Sequence, residues 1–129
     1  MKPYTLSKVL ALIGSGFFIA EFFFHFFGLP ILEHDAIFLF THDRYIALYA
    51  LTYSFLLALS ATDFKKYRFL FGATLFGILI MMFNAYAIAA EGGYHTFFPT
   101  VSLDQDLNTL GIGFLIWYVA MFLLWALKK

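Results

Sequence analysis

The sequence predicts an all-α integral membrane protein, a four-helix transmembrane bundle with both the N-terminus and the C-terminus on the cytoplasmic side. Of its 129 residues, 63% are hydrophobic and 12% charged, against roughly 45–50% and about 25% in a soluble domain. The apolar residues fall in four continuous runs, each close to the about 20 residues that cross a hydrocarbon core. Seven of the eight basic residues come to lie on one side when those runs are drawn as spans, and the positive-inside rule makes that side cytoplasmic. Continuous runs, without alternation over roughly 10-residue segments, select helices over barrel strands.

The whole chain, residues 1–129, reads as one domain without repeats or linkers. The first span covers about residues 6–27. Lys2 and Lys8 at its start resemble the basic end of a signal peptide, but the apolar stretch is too long and lacks a small-residue cleavage site, so it is expected to be retained. The second span covers about residues 45–61 and is followed by a short basic turn, T-D-F-K-K-Y-R. The third covers about residues 69–90 and the fourth about residues 107–127. The two outer connections, about residues 29–43 and 91–106, are roughly twice as long as the inner turn. Residues I-L-E-H-D-A-I-F-L-F of the first are expected to form a short interfacial helix. Asp43 and Asp106 are the expected N-caps of spans two and four.

Acidic residues and histidines share the opposite bias. Glu21, Glu33, Asp35, Asp43, Glu91, Asp104 and Asp106 fall in the outer half, with Asp63 alone inside, and all four histidines, His25, His34, His42 and His95, lie on the outer side. Zero formal net charge and no basic stripe argue against nucleic acid as a partner. Zero cysteines exclude disulfides, thiolate metal sites and thiol catalysis.

Reading each span at 3.6 residues per turn groups Gly14, Glu21, His25 and Gly28 on one face of the first. Tyr45, Tyr49, Thr52 and Leu56 share a face of the second, with Tyr53 alongside. Gly77, Met81, Asn84, Ile88 and Glu91 do so on the third, and Asn108, Gly111, Leu115 and Tyr118 on the fourth. In lipid, helices associate through small residues and interhelical hydrogen bonds, not through hydrophobic burial, so these faces are expected to point inward. At 1.5 Å per residue, Glu21 lies about 8 to 10 Å and His25 about 3 Å below the outer boundary. A charge at the bilayer centre costs from about 2.5 to more than 10 kcal/mol. Glu21 is therefore expected to be paired and hydrated in an outward pocket, with His25, Arg44, Tyr45, Tyr49 and Asn84 as the candidate ligand-binding set. The plainer reading of Glu21 and His25 is an interhelical clamp with no ligand.

Imidazole and carboxylate donors suit zinc, iron or manganese, which makes His25, His42, His95 and Glu21 the candidate metal ligands. The sequence contains no H-E-x-x-H and no E-x-x-H pair of the di-iron type. Haem ligation asks for two histidines deep in the bundle, and only His25 approaches that place. A serine triad finds Ser15, Ser54 and Ser60 in the wrong half. The nineteen phenylalanines suit lipid-facing surface, or a quinone or other small amphipathic ligand stacked among them.

The run L-A-L-I-G-S-G-F-F-I-A in span one, four spans with both ends inside and the short basic inner turn resemble the small bacterial DoxX-like membrane proteins. The likeness covers the topology of the whole chain and a few generic residues. It implies an accessory or partner subunit of a membrane redox system and carries over no site residues. Glu21 is also similar in kind to the span-one glutamate of the small multidrug resistance transporters. Here, however, the carboxylate lies nearer the outer edge, the outer loops are long and the charge bias opposes dual insertion.

Three functions follow as expectations. The first is a ligand-binding or accessory subunit of a larger complex in the bacterial inner membrane, multi-pass, with the lipid bilayer and other membrane subunits or a second copy as partners. The second is a metal-dependent enzyme acting on a membrane substrate. The third is a proton-coupled transporter working as a dimer through Glu21.

Overall fold

The computed structural model describes residues 4–29, 40–90 and 111–127. These residues form four helices: α1 (Thr5–Phe27), α2 (Phe40–Thr62), α3 (Arg68–Ala90) and α4 (Ile112–Ala126). The all-helical expectation is met, and the helix bounds follow the apolar runs. Two stretches, Thr5–Phe27 and Asp43–Thr62, are long and apolar enough to cross a membrane; Arg68–Asn84 and Ile112–Ala126 are shorter apolar helices.

The helix ends have local causes. α1 stops at Gly28, whose φ of 64° places it in the left-handed region, and Leu29 N–H donates to Phe24 O at 2.9 Å. That bond closes the carbonyl end of the helix in the manner of a Schellman turn, where glycine avoids a Cβ penalty. Between α2 and α3, Asp63 Oδ1 accepts from Lys66 N–H at 3.1 Å and Asp63 O from Tyr67 N–H at 3.0 Å. Phe64, 1% exposed, anchors this turn between Tyr4 and Phe71, with ring centroids 5.6 and 4.7 Å away.

α1 and α2 make the most extensive contact in the fold. Ser7, Ala11, Gly14, Phe18 and His25 are buried on α1, and Asp43, Ala47, Ala50, Ser54, Leu57 and Ala61 on α2. Both sets repeat at alternating steps of three and four, which keeps one stripe facing a partner helix. Tyr4 with Phe64, Ser15 with Ser54, and His25 with Asp43 share one antiparallel register along the pair. Midway, the Ser15 hydroxyl donates to Ser54 O and the Ser54 hydroxyl to Ser15 O, both at 2.9 Å. Small side chains at the seam let two backbones come that close.

α4 is fixed by its two tryptophans. Trp117 lies over Gly14 of α1 and donates its indole N–H to Leu10 O at 2.8 Å; Trp125 lies over Gly72 of α3 and donates to Arg68 O at 3.1 Å. In both cases the acceptor carbonyl belongs to the residue four before the glycine, and a Cβ on that glycine would overlap the indole ring. Arg68 Nη2 returns a bond to Trp125 O at 2.6 Å, and Tyr118 donates to Leu75 O at 3.1 Å. α3 meets α2 through Tyr53, whose ring lies against Gly77.

The expected inward faces need correction. Tyr45 and Tyr49 of α2 are 60% and 62% exposed, and Thr52 is exposed. The true stripe runs through 43, 47, 50, 54, 57 and 61; position 45 lies two residues, or about 200°, from Asp43 on the helix, and so on the far side. The expected stripe follows the bulky tyrosines, whereas close approach selects alanine and serine. Among the described side chains of α3 the buried ones are Phe71, Thr74, Leu75 and Ile78, and Met81 and Asn84 are exposed, while the Ile88 side chain lies outside the described residues; on α4 Tyr118 is buried but Leu115 is exposed. Asp43 is not an N-cap: α2 begins at Phe40, so Asp43 lies within its first turn. Asp106, Asn108, Glu91, the outer connections and the interfacial helix expected in the first of them lie outside the described residues.

Candidate functional site

The α1–α2 seam ends in a chain of three ionisable side chains. His25 is 6% exposed and points from α1 toward the first turn of α2. Its Nδ1 lies 2.9 Å from Asp43 Oδ1, and its Nε2 lies 3.3 Å from Glu21 Oε2, one turn earlier on α1. The Asp43 and Glu21 side chains are themselves largely buried. The same stripe that brings Ser15 to Ser54 delivers His25 to Asp43, so the cluster is a consequence of the helix register.

Both ring nitrogens of His25 thus face a carboxylate oxygen. An imidazolium donates from both nitrogens, while a neutral ring donates from one and turns a lone pair toward the other acid. A charge-assisted bond such as that between His25 and Asp43 is worth about 1.5–3 kcal/mol, and Glu21 makes an ion-pair contact with the other side of the same ring. Glu21 and His25, the pair expected from the sequence, therefore come together, with Asp43 as a third member that the sequence reading assigned to capping. The spacing 43, 47, 50, 54, 57 and 61, matched to small residues, was the available sign that Asp43 faces α1.

The other expected residues are distributed differently. Arg44, next to Asp43, places its guanidinium carbon 4.7 Å from the centroid of the Phe26 ring, a cation–π contact that keeps its charge at this end of the α1–α2 pair. Tyr45, Tyr49 and Asn84 lie on outer faces of their helices and are not brought to Glu21 and His25. Among the described residues no group of three or more His, Asp or Glu side chains is arranged to hold a metal ion. Glu21, His25 and Asp43 are strung in line through the two nitrogens of one ring, and do not converge on a common point. The His42 side chain and the whole of His95 lie outside the described residues.

A cavity of about 170 Å³ opens between α3 and α4, walled by Leu75, Phe76 and Leu79 on one side and Tyr118, Phe122 and Trp125 on the other. None of the candidate site residues lines it. Its single hydroxyl, on Tyr118, is engaged with Leu75 O. Among the described residues the acid–imidazole cluster and the cavity are therefore separate features, the first polar and the second apolar.

Comparison of the chain with protein-family models, curated proteins and solved structures gives no match.

Proposed function

We propose that this chain is a multi-pass protein of the bacterial inner membrane, with both ends cytoplasmic, that serves as a non-enzymatic accessory subunit of a larger membrane assembly. The observation that carries the membrane part is the apolar outer surface, set around an interior that holds small and polar side chains beside its apolar ones. Ser7, His25, Asp43, Ser54, Ser60 and Thr74 are buried, while Leu12, Ile13, Phe55, Phe76, Ile80 and Ile116 are more than half exposed. In water this arrangement leaves large apolar patches bare. In lipid it is the expected one, because tails solvate the outside and helix contacts depend on small and hydrogen-bonded side chains.

An accessory role fits the way the chemistry is disposed. Active sites set acids, bases or nucleophiles at the wall of a cavity. Here Glu21, His25 and Asp43 contact one another along the α1–α2 seam, and among the described residues the α3–α4 cavity presents no acid or base in its walls. Such an interior stabilises a bundle whose outer faces are free for neighbours. The DoxX-like resemblance supports the same reading by topology. Mild-detergent purification from native membranes, followed by mass spectrometry, tests it. A membrane protein partner recovered in stoichiometric amount is expected; recovery of the solitary chain, with cross-linking before extraction yielding nothing further, contradicts it.

A second reading draws on the chain of bonds through His25. An imidazole that is hydrogen-bonded to Asp43 at Nδ1 and lies 3.3 Å from Glu21 at Nε2 has an acid on each side to take a proton from and pass one to, an order suited to a proton-coupled transporter. Uptake measured in proteoliposomes with an imposed pH gradient distinguishes the two: Glu21→Gln abolishes proton flux under this reading and changes nothing under the first.

A further inference from the structure

The apolar cavity between α3 and α4 has a charged neighbour. It runs from Gly72 to Leu79 along α3, about 10 Å at 1.5 Å per residue. Arg68 lies one turn before Gly72, and its guanidinium is held against the cavity's end by the bond to Trp125 O at 2.6 Å. Lys65 and Lys66 are exposed on the adjoining turn, and the Lys66 ammonium lies 5.1 Å from the Tyr67 ring centroid. Asp63, the acid of that turn, accepts the Lys66 backbone N–H. Three basic residues therefore lie in the turn and first residue of α3, at the end of the helix where the apolar slot begins, and Arg68 among them is bonded to a residue of its wall.

Resting on the membrane reading above, we propose that this groove holds one acyl chain of an anionic phospholipid, whose phosphate meets Lys65, Lys66 and Arg68. Three features of the site argue for that occupant. The walls are hydrocarbon and aromatic, with the Tyr118 hydroxyl already bonded, so the occupant's buried part is apolar. The slot is elongated along the helices, as a chain is. The residues at its Gly72 end, Lys65, Lys66 and Arg68, are basic, and basic clusters at the cytoplasmic ends of membrane helices attract anionic headgroups. Trp125 sits at the junction, its ring against the groove and its N–H on Arg68 O, the amphipathic placement of an interfacial tryptophan.

The test uses the full chain in nanodiscs and reads tryptophan fluorescence, since Trp117 and Trp125 are the two tryptophans of the sequence. Phosphatidylglycerol and phosphatidylcholine, each brominated on the acyl chain, are the quenchers. A preference of about tenfold for the phosphatidylglycerol is expected, falling below twofold in Lys65→Gln/Lys66→Gln, a pair of exposed positions whose change leaves the fold intact. Leu79→Phe fills the groove and is expected to reduce quenching by phosphatidylglycerol to the level given by phosphatidylcholine. Equal quenching by both lipids in the wild-type chain overturns the proposal, as does a preference that survives either variant. Absence of quenching by either lipid contradicts the membrane reading itself, which separates that failure from failure of the lipid site.

Discussion

The carboxylate of Asp43 reaches across from α2 to the imidazole of His25 on α1 at 2.9 Å, and both side chains are shielded from solvent. Removing either partner takes this buried bond from the other, at a cost of about 1–3 kcal/mol. A double-mutant cycle with His25→Ala and Asp43→Ala is expected to give a coupling of about 1–2 kcal/mol in unfolding titrations from mixed micelles. Additive effects would mean that the two side chains do not act together.

The reciprocal Ser15 and Ser54 bonds predict a contrast between losing a bond and losing the close approach. Ser54→Ala removes one interhelical bond, worth roughly 0.6 kcal/mol and at most about 1.7 in membrane helices. Ser54→Leu forces α1 and α2 apart and is expected to cost considerably more, visible as a fall in the thermal unfolding midpoint several times larger. Equal losses would show that backbone proximity at this level is unimportant.

Glycine positions predict a second contrast within one helix. At Gly14 a Cβ overlaps the Trp117 ring, so Gly14→Ala is expected to destabilise by about 1–3 kcal/mol through overpacking. Nothing lies within 4 Å of a Cβ at Gly16, and Gly16→Ala is expected to gain up to about 1 kcal/mol from helix propensity. Denaturation of the two variants side by side reads the difference in sign.

Tyr45 and Tyr49 carry a prediction of no effect on the isolated chain. Both are exposed, and Tyr45→Phe and Tyr49→Phe are expected to change stability by less than about 0.5 kcal/mol. A loss of 1 kcal/mol or more would restore them to the interior.

Helix count and approximate bounds were legible because long apolar runs carry that information without any knowledge of neighbours. Facing was not. Tyr45, Tyr49 and Asn84 drew attention as polar side chains in apolar helices, yet the interior is chosen by what permits close contact, and Ala47, Ala50 and Ser54 satisfy that on the α2 face that also carries Asp43. Glu21 and His25 were legible as a pair because their four-residue spacing stacks them on one helix face. Asp43 was not, since its partner lies 18 residues away and depends on the register of a hairpin. The tryptophan–glycine contacts at Gly14 and Gly72 are not legible in the sequence for the same reason: each joins residues distant in sequence, and neither residue type alone indicates the other.

The central claim, that the bundle turns its polar seam inward and its large apolar side chains toward lipid, is tested most directly on α2. The sequence has zero native cysteines, so single spin-labelled cysteines can be placed one by one from position 46 to 56 in lipid bilayers and read for collision with oxygen and with a water-soluble nickel complex. Oxygen access is predicted to peak at Leu48, Tyr49, Thr52 and Phe55 and to fall at Ala47, Ala50 and Ser54, with nickel access low throughout. Nickel reaching Phe55 freely, or oxygen access without helical periodicity, would contradict it.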